Sequence, residues 1–163
     1  MKLIKYQLYH NQVDLTQADG KIFSLYLNEW SGKILYRYKI DSISKVRHPG
    51  ICLGYDETGK WYYMHNHYEN GHPIVDTHEG FSKGNELFLS NRQSQYETLM
   101  ILQNGLNEIL QARSYDSLTY NCQTFVNKVS FNENKSEAVE NWIGGIFAGL
   151  LIVIGIKAFN NSR

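Results

Sequence analysis

Short runs of alternating apolar and polar residues fill the first 40 positions of the chain, a pattern typical of β-strands. The runs are KLIKYQLY from residue 2, KIFSLYL from residue 21 and ILYRYKI from residue 34. The dipeptides Asp19-Gly20 and Ser31-Gly32 lie between them and favour turns. We therefore predict that residues 1–40 are a β-rich N-terminal part of the same domain as the residues that follow.

Two further apolar runs flank a polar connection. Val46–Leu53 and Trp61–His67 read as strands, and residues 56–60 between them form a good hairpin loop. We expect these two strands to pair with each other in an antiparallel sheet.

The spacing of apolar residues then becomes helical. Between Gln93 and Arg113, leucine and isoleucine recur every three or four positions, which predicts a helix. A shorter helix should begin after Asn121, because asparagine is favoured at a helix N-cap, with Phe125, Val126 and Val129 on its buried side.

The most apolar segment lies near the end of the chain. Residues 142–156 carry no charge, and a helix of this length would be about 22 Å long; extended to Phe159 it reaches about 27 Å, enough for a thin bilayer. Gly145 and Gly149 would let two such helices approach closely and dimerise. We therefore expect residues 135–163 to form a C-terminal helix that anchors the protein to a membrane.

Composition narrows the function classes. The chain has 163 residues, enough for one domain. Its 16 basic and 16 acidic side chains balance, and the lack of excess positive charge argues against nucleic acid as a partner. Two cysteines cannot form a disulfide framework, and residues 1–11 contain no apolar run of signal-peptide length. We expect a membrane-associated protein whose catalytic body lies in the cytoplasm.

Cys122 is the first candidate for chemistry. It follows the predicted N-cap Asn121, and the positive end of a helix favours the thiolate form of a cysteine. A nucleophilic cysteine needs a base, and the chain offers six histidines, at positions 10, 48, 65, 67, 72 and 78. His48 begins one strand of the predicted hairpin and His65 ends the other, so the pairing would bring these two together.

Other roles for these residues are open at the level of sequence. His65 and His67 share one face of a strand and would suit zinc with His72 or His78 as a third ligand, although the segment also reads as a polar turn. Cys122 alone would equally suit a buried, inert position, and Cys52 lies in an apolar run and is expected in the core. Phosphate-loop, dinucleotide and zinc-protease motifs are absent from the sequence.

Three blocks of sequence resemble the lecithin:retinol acyltransferase-like family, which includes the small phospholipase A/acyltransferases. The blocks are HPGICLG from His48, YYMH ending at His65, and YNCQTFVNKV around Cys122. The chain departs from the family in Gln123-Thr124, where Glu-His is common, and residues 1–40 have no counterpart in it.

This resemblance implies the circularly permuted papain-like (NlpC/P60) fold, an α+β architecture with an antiparallel sheet packed against helices. Residues 41–134 would then form the catalytic core, with Cys122 as nucleophile, His48 as its base and His65 orienting His48. Neither a cofactor nor a metal is implied.

The implied activity is thiol-dependent acyl transfer or hydrolysis on an ester or amide of a lipid, through a thioester on Cys122. A phospholipid acyl donor follows from the family and the C-terminal segment together. The same residues would also suit a cysteine amidase or isopeptidase of the permuted papain-like type, and a third hypothesis is a non-enzymatic membrane-bound binding module.

Overall fold

The computed structural model describes residues 2–38 and 47–136, and within them the chain forms an α+β fold. The elements follow the order β1 (Leu3–Leu8), β2 (Gln12–Gln17), β3 (Ile22–Tyr26), β4 (Ile34–Tyr38), β5 (Arg47–Tyr55), β6 (Trp61–His67), β7 (His72–Thr77), α1 (His78–Ser82), β8 (Phe88–Leu89), α2 (Thr98–Gln111) and α3 (Cys122–Phe131). The strands belong to one sheet in which every pairing is antiparallel. The predicted class, α+β with an antiparallel sheet and helices, is confirmed.

The sheet is organised around β5. One edge of β5 pairs with β6, which in turn pairs with β7. The opposite edge of β5 is shared by two strands. Ile51 pairs with Ile34 of β4, and Tyr55 pairs with Tyr26 of β3. The hairpin strands β1 and β2 extend the sheet beyond β3.

Helices cover the two faces of this sheet unequally. Helices α2 and α3 pack on one face, where they bury the larger core against β5, β6 and the N-terminal strands. This core includes Val13, Leu25, Met64, Leu106 and Phe125. The short helix α1 packs on the opposite face, where Phe81 meets Leu35, Cys52 and Tyr63. Successive residues along β4, β5 and β6 therefore point alternately to the larger core and to the α1 face.

The elements agree with the sequence predictions at the β5–β6 hairpin and at the start of α3, whose N-cap is Asn121. Helix α2 is shorter than the predicted span 93–113. The apolar patterns did not predict β2, β7 or α1, because these elements are short and rich in polar residues, nor β8, which has only two residues.

Residues 137–163, which contain most of the predicted C-terminal helix and the Gly145/Gly149 pair, lie outside the described residues. Among the residues that the structure does describe, no helix has the length and hydropathy needed to cross a membrane.

Candidate functional site

A row of polar side chains crosses the α1 face of the sheet near the beginning of β5. Arg37 of β4 is the direct cross-strand partner of His48 of β5. The ring of His67 from β6 lies 4.9 Å from that of His48, and the ring of His65 lies 5.2 Å from it. All four side chains are buried. The strand pairing thus gathers three histidines and an arginine from three strands.

Two of these histidines and an aspartate form a hydrogen-bonded chain. His48 Nε2 lies 2.9 Å from His65 Nδ1, and His65 Nε2 lies 3.4 Å from Asp76 Oδ2 of β7. The hydrogen bond with His65 lowers the pKa of Asp76, so the carboxylate is ionised and accepts. His65 therefore donates its Nε2–H to Asp76 and accepts, at Nδ1, the Nε2–H of His48.

This order fixes the tautomer of His48. A neutral imidazole carries one N–H, and in His48 that hydrogen is committed to His65. The Nδ1 atom of His48 is therefore the nitrogen that can accept a proton. A base oriented in this way by a second group is the arrangement found in catalytic triads.

Phe81 of α1 packs against the two histidines of this chain, on the α1 face of the sheet. Its ring lies 5.8 Å from the ring of His48 and 5.3 Å from that of His65. The approach depends on Gly50, because a Cβ at that position would lie 2.5 Å from Phe81 Cε2. The glycine of the HPGICLG block therefore makes room for the aromatic ring that packs on the histidines.

Cys122 is the first residue of α3 and is half-buried. The side chain of Asn121 caps the helix by accepting from the backbone N–H groups of Gln123 and Thr124. The same end of the helix is tied to the sheet, because Asn66 Nδ2 donates to the carbonyl of Tyr120 over 3.0 Å. Asn66 stands between His65 and His67 in β6, so the segment leading into Cys122 is attached to the histidine-bearing strand.

Arg37 connects the cysteine and the histidine row electrostatically. Burial lowers the pKa of the Arg37 guanidinium, and the negative charges of Glu69, Cys122 and Tyr68 act in the opposite direction. The charge of Cys122 also contributes, after burial, to the raised pKa of Tyr115. Cys122 therefore lies within electrostatic range of Arg37, which is itself paired with His48.

His67 differs from His65 in its partners. Burial lowers its pKa to about 4, so its ring is neutral at physiological pH. Arg37 Nη2, which can only donate, lies 3.5 Å from His67 Nε2. At its other nitrogen, Nδ1, His67 meets the backbone N–H of Glu69 at 3.3 Å and Glu69 Oε2 at 3.5 Å. His67 thus accepts from a cation, whereas His65 donates to an anion.

The structure therefore brings His48 and His65 together, and it places Cys122 at the start of a helix whose preceding residue but one, Tyr120, bonds to Asn66 of the histidine-bearing strand. Cys52 is buried, and burial raises the pKa of its thiol to about 12, which keeps it protonated. The proposed third zinc ligands are engaged elsewhere: His72 Nδ1 bonds to the carbonyl of Pro73, and His78 Nδ1 meets the hydroxyl of Tyr63. Within the described ranges, no three His, Cys, Asp or Glu side chains are grouped as metal ligands.

Asp76, Phe81 and Arg37 were not predicted as site residues. Asp76 and Phe81 belong to β7 and α1, which the apolar patterns did not reveal. Arg37 lies in a predicted strand, and its position two residues beyond Leu35 on the same face becomes informative only once β4 is known to pair with β5.

An apolar groove continues the face that carries this row. Leu35, Cys52 and Tyr63 each lie two positions along their strand from Arg37, Gly50 and His65, respectively, so they point to the same side of the sheet as the row. Together with Trp30, Trp61, His78 and Leu87 they line a cavity of about 250 Å³.

No family model, curated protein or solved structure matches this chain. The resemblance to the acyltransferase-like family therefore stays a proposal.

Proposed function

We propose that this protein is a cysteine-dependent acyltransferase or hydrolase with a permuted papain-like fold, resembling the lecithin:retinol acyltransferase-like family. The observation that carries the proposal is the chain Asp76–His65–His48, which makes the Nδ1 atom of His48 the candidate base. Helix α3 begins with Cys122, and the segment leading into it is bonded to the strand that carries His65. The order His, His, Cys along the sequence agrees with the permuted arrangement.

In the proposed reaction, His48 Nδ1 takes the proton of the Cys122 thiol and the thiolate attacks the carbonyl carbon of an ester. Backbone N–H groups at the start of α3, that of Cys122 among them, stabilise the resulting oxyanion. The intermediate then breaks its bond to the alcohol oxygen, which takes the proton from His48. The acyl group remains on Cys122 as a thioester.

The thioester is resolved by the reverse sequence of proton transfers. Water, or an acceptor hydroxyl or amine, gives a proton to His48 Nδ1 as it attacks the thioester carbonyl. Collapse of this second intermediate expels the Cys122 thiolate, which is reprotonated by His48. Throughout, His65 and Asp76 hold the His48 ring and stabilise its positive charge.

A lipid acyl group is the substrate that this site favours. The groove lined by Leu35, Trp61 and Tyr63 on the α1 face is apolar, as a hydrocarbon chain requires. The uncharged segment of residues 142–156 would hold the site beside phospholipid if it inserts into a bilayer. We therefore propose a glycerophospholipid as acyl donor.

The acyl-enzyme is the decisive species to look for. After incubation with mixed phospholipid vesicles, the intact protein should gain the mass of a fatty acyl group, and peptide mapping should place it on Cys122 rather than Cys52. The adduct should disappear in Cys122→Ser. Reaction with a peptide or isopeptide probe but never with phospholipid would instead favour an amidase or isopeptidase, and no adduct with either substrate would favour a binding module.

Variants of the histidine chain test the assignment of roles. His65→Ala and Asp76→Asn should each slow acylation, because the first leaves His48 without its acceptor and the second weakens the anchor of His65. His10→Ala, which changes an exposed histidine on the N-terminal hairpin, should leave the rate unchanged. Equal rates in all three variants and the wild type would show that His65 does not orient the base.

A further inference from the structure

The side chain of Asn66 is fully buried, yet only one of its two polar atoms has a partner. Its Nδ2 atom donates to the carbonyl of Tyr120 over 3.0 Å, whereas within the described residues its Oδ1 atom accepts no hydrogen bond. A buried acceptor without a donor is destabilising, and an apolar side chain of the same size would not carry this penalty. The use of an asparagine at this position therefore has to be sought in the one hydrogen bond that it makes.

Asn66 points away from the two histidines that flank it. Side chains alternate along β6, so His65 and His67 lie on the α1 face, whereas Asn66 shares the opposite face with Met64 of the larger core. Helix α3 packs against the sheet on that same face. Asn66 is thus the residue through which the histidine-bearing strand reaches the segment that leads into Cys122.

Tyr120, the partner of Asn66, is held at each of its polar groups. Its carbonyl also accepts from the backbone N–H of Asp116 over 3.1 Å, and its own N–H donates to the carbonyl of Asp116 over 3.0 Å. Its hydroxyl donates to Glu108 of α2 over 2.6 Å, and Lys128 of α3 forms an ion pair with the other oxygen of that buried carboxylate. Tyr120 is therefore fixed to the sheet by its backbone and to the helices by its side chain.

A single residue separates this fixed point from the candidate nucleophile. Asn121 is itself immobilised, because its amide donates to the carbonyl of Ser117 while its side-chain oxygen caps α3. Consecutive Cα atoms are about 3.8 Å apart, so the Cα atoms of Tyr120 and Cys122 are separated by no more than about 7.6 Å. A displacement of the Tyr120 carbonyl is thereby passed on to Cys122.

We propose that Asn66 is a positioning residue, which sets the place of Cys122 relative to His48 and His65 by holding the carbonyl of Tyr120. The inference rests on the proposed function, in which His48 takes the proton of the Cys122 thiol. That transfer requires the two heavy atoms to come within hydrogen-bond reach, and a misplacement of about 1 Å costs up to about a hundredfold in rate. Asn66 acts on the reaction through the backbone of Tyr120.

Alkylation of Cys122 by iodoacetamide, followed by peptide mass, measures this alignment without an acyl substrate. At about pH 6 an isolated thiol is almost entirely protonated, so reaction there relies on transfer of its proton to His48, whereas at about pH 10 the thiol ionises by itself. The variant Asn66→Leu keeps the size of the side chain and loses the donor. We expect it to slow alkylation at about pH 6 about tenfold, the equivalent of one pKa unit, and to leave the rate at about pH 10 near that of the wild type.

Asn104→Leu is the matched control. Asn104 of α2 also donates its side-chain amide to a backbone carbonyl of α3, that of Val129 over 3.3 Å, but towards the other end of the helix from Cys122. Its loss should leave the alkylation profile where it was. An equal loss at about pH 6 in both variants, or an equal loss at both pH values in Asn66→Leu, would mean that Asn66 only supports the fold, and would overturn the proposal.

Tyr120→Phe tests the same fixed point from its other side and serves if Asn66→Leu does not fold. It removes the hydrogen bond to Glu108 and should reproduce the loss at about pH 6 to a smaller extent. Acylation by phospholipid vesicles gives a second readout, in which kcat should fall in both variants with KM unchanged, because Asn66 lies on the face opposite the apolar groove.

The two readouts separate the role of Asn66 from the proposed function. A wild-type alkylation profile in the folded variants would refute the role of Asn66 even if the acyl-enzyme forms. A loss confined to about pH 6 without any acyl-enzyme would refute the proposed substrate and not the role of Asn66. A wild-type thiol that reacts at about pH 6 no faster than a free cysteine would refute the pairing of Cys122 with His48, and this inference with it.

Discussion

His65 and His67 are two positions apart on one strand, yet their surroundings give them opposite roles. His65 donates to the Asp76 carboxylate and accepts from His48, whereas His67 accepts from Arg37. A histidine that accepts from a guanidinium is held neutral, and one that donates to a carboxylate supports a positive neighbour. We therefore assign His65 the role of orienting the base and His67 a structural role, because the first is bonded to the Asp76 carboxylate and the second to the Arg37 guanidinium.

The neutral state of His67 predicts a pH dependence of stability. Its pKa is about 4 in the folded protein against 6.5 for an ordinary histidine, so the unfolded chain binds more protons between these values. The free energy of unfolding should thus fall as the pH is lowered from about 6.5 to about 4, by at most about 3 kcal/mol from this residue. Urea unfolding monitored by tryptophan fluorescence across this range would measure it.

Two substitutions isolate the contribution of His67. His67→Asn keeps an acceptor for Arg37 and does not titrate, so its stability should vary less over the same pH range. His10→Asn removes an exposed histidine and should retain the wild-type slope. If His67→Asn and wild type show equal slopes, the ring of His67 is not held neutral by burial.

At the scale of elements, the start of α3 carries both the helix cap expected from the sequence and the proposed nucleophile. The Asn121 side chain satisfies two backbone N–H groups of the first turn and donates to the carbonyl of Ser117. The cap determines at which residue the helix begins and hence that Cys122 is its first residue. An altered cap would therefore affect both the stability of α3 and the reactivity of the thiol.

We predict that Asn121→Ala lowers the free energy of unfolding by about 1 kcal/mol, because the helix loses its side-chain cap. Alkylation of Cys122 should slow in the same variant, since the helix start becomes less well defined. Chemical denaturation and iodoacetamide kinetics measure the two effects.

Asn121→Ser is the appropriate comparison for this variant, because a serine oxygen also caps a helix. It should keep most of the stability and most of the thiol reactivity. Loss of reactivity in Asn121→Ser without loss of stability would indicate that the asparagine acts on the cysteine by a route other than helix capping.

At the scale of the whole molecule, the N-terminal strands are built into the same fold as the candidate site. Val13, Leu15 and Leu25 lie in one core with Ile51 and residues of α2 and α3. The junction is tight at Gly54, where φ is +153° and a Cβ would lie 2.4 Å from the carbonyl oxygen of Tyr26. Strand β3 can lie beside β5 only because this residue has no side chain.

Gly54→Ala should accordingly destabilise the entire chain rather than detach the N-terminal strands. We expect a lower Tm with a single transition seen alike by far-UV circular dichroism and tryptophan fluorescence, because both halves share one core. Two separate transitions would show that β1–β3 fold independently of the site.

Gly59→Ala provides the matched substitution. Gly59 also has a positive φ, +82°, but a Cβ there would meet no atom within 4 Å. It should cost only the strain of a left-handed alanine, about 1 kcal/mol, and so lower Tm less than Gly54→Ala. The difference between the two variants measures the contact between β3 and β5.

The hairpin and the helix start that carry the candidate residues were predictable from local sequence. The β5–β6 hairpin and the capped start of α3 depend on apolar spacing, turn residues and an N-cap, all of which act over a few neighbouring positions. The same local rules singled out His48, His65 and Cys122 as candidates. They did not reveal β2, whose six residues QVDLTQ include only two apolar ones, although Val13 and Leu15 are fully buried.

Which side chains meet across strands was decided by the tertiary structure alone. Asp76 reaches His65 and Arg37 faces His48 because three antiparallel pairings fix their register, and register depends on the whole buried face of the sheet. The sequence by itself determined the β5–β6 hairpin, the start of α3 and the residue types able to do chemistry, since these follow from local spacing. Only the packed sheet could assign a carboxylate to one histidine and a guanidinium to another, because those partners lie on different strands.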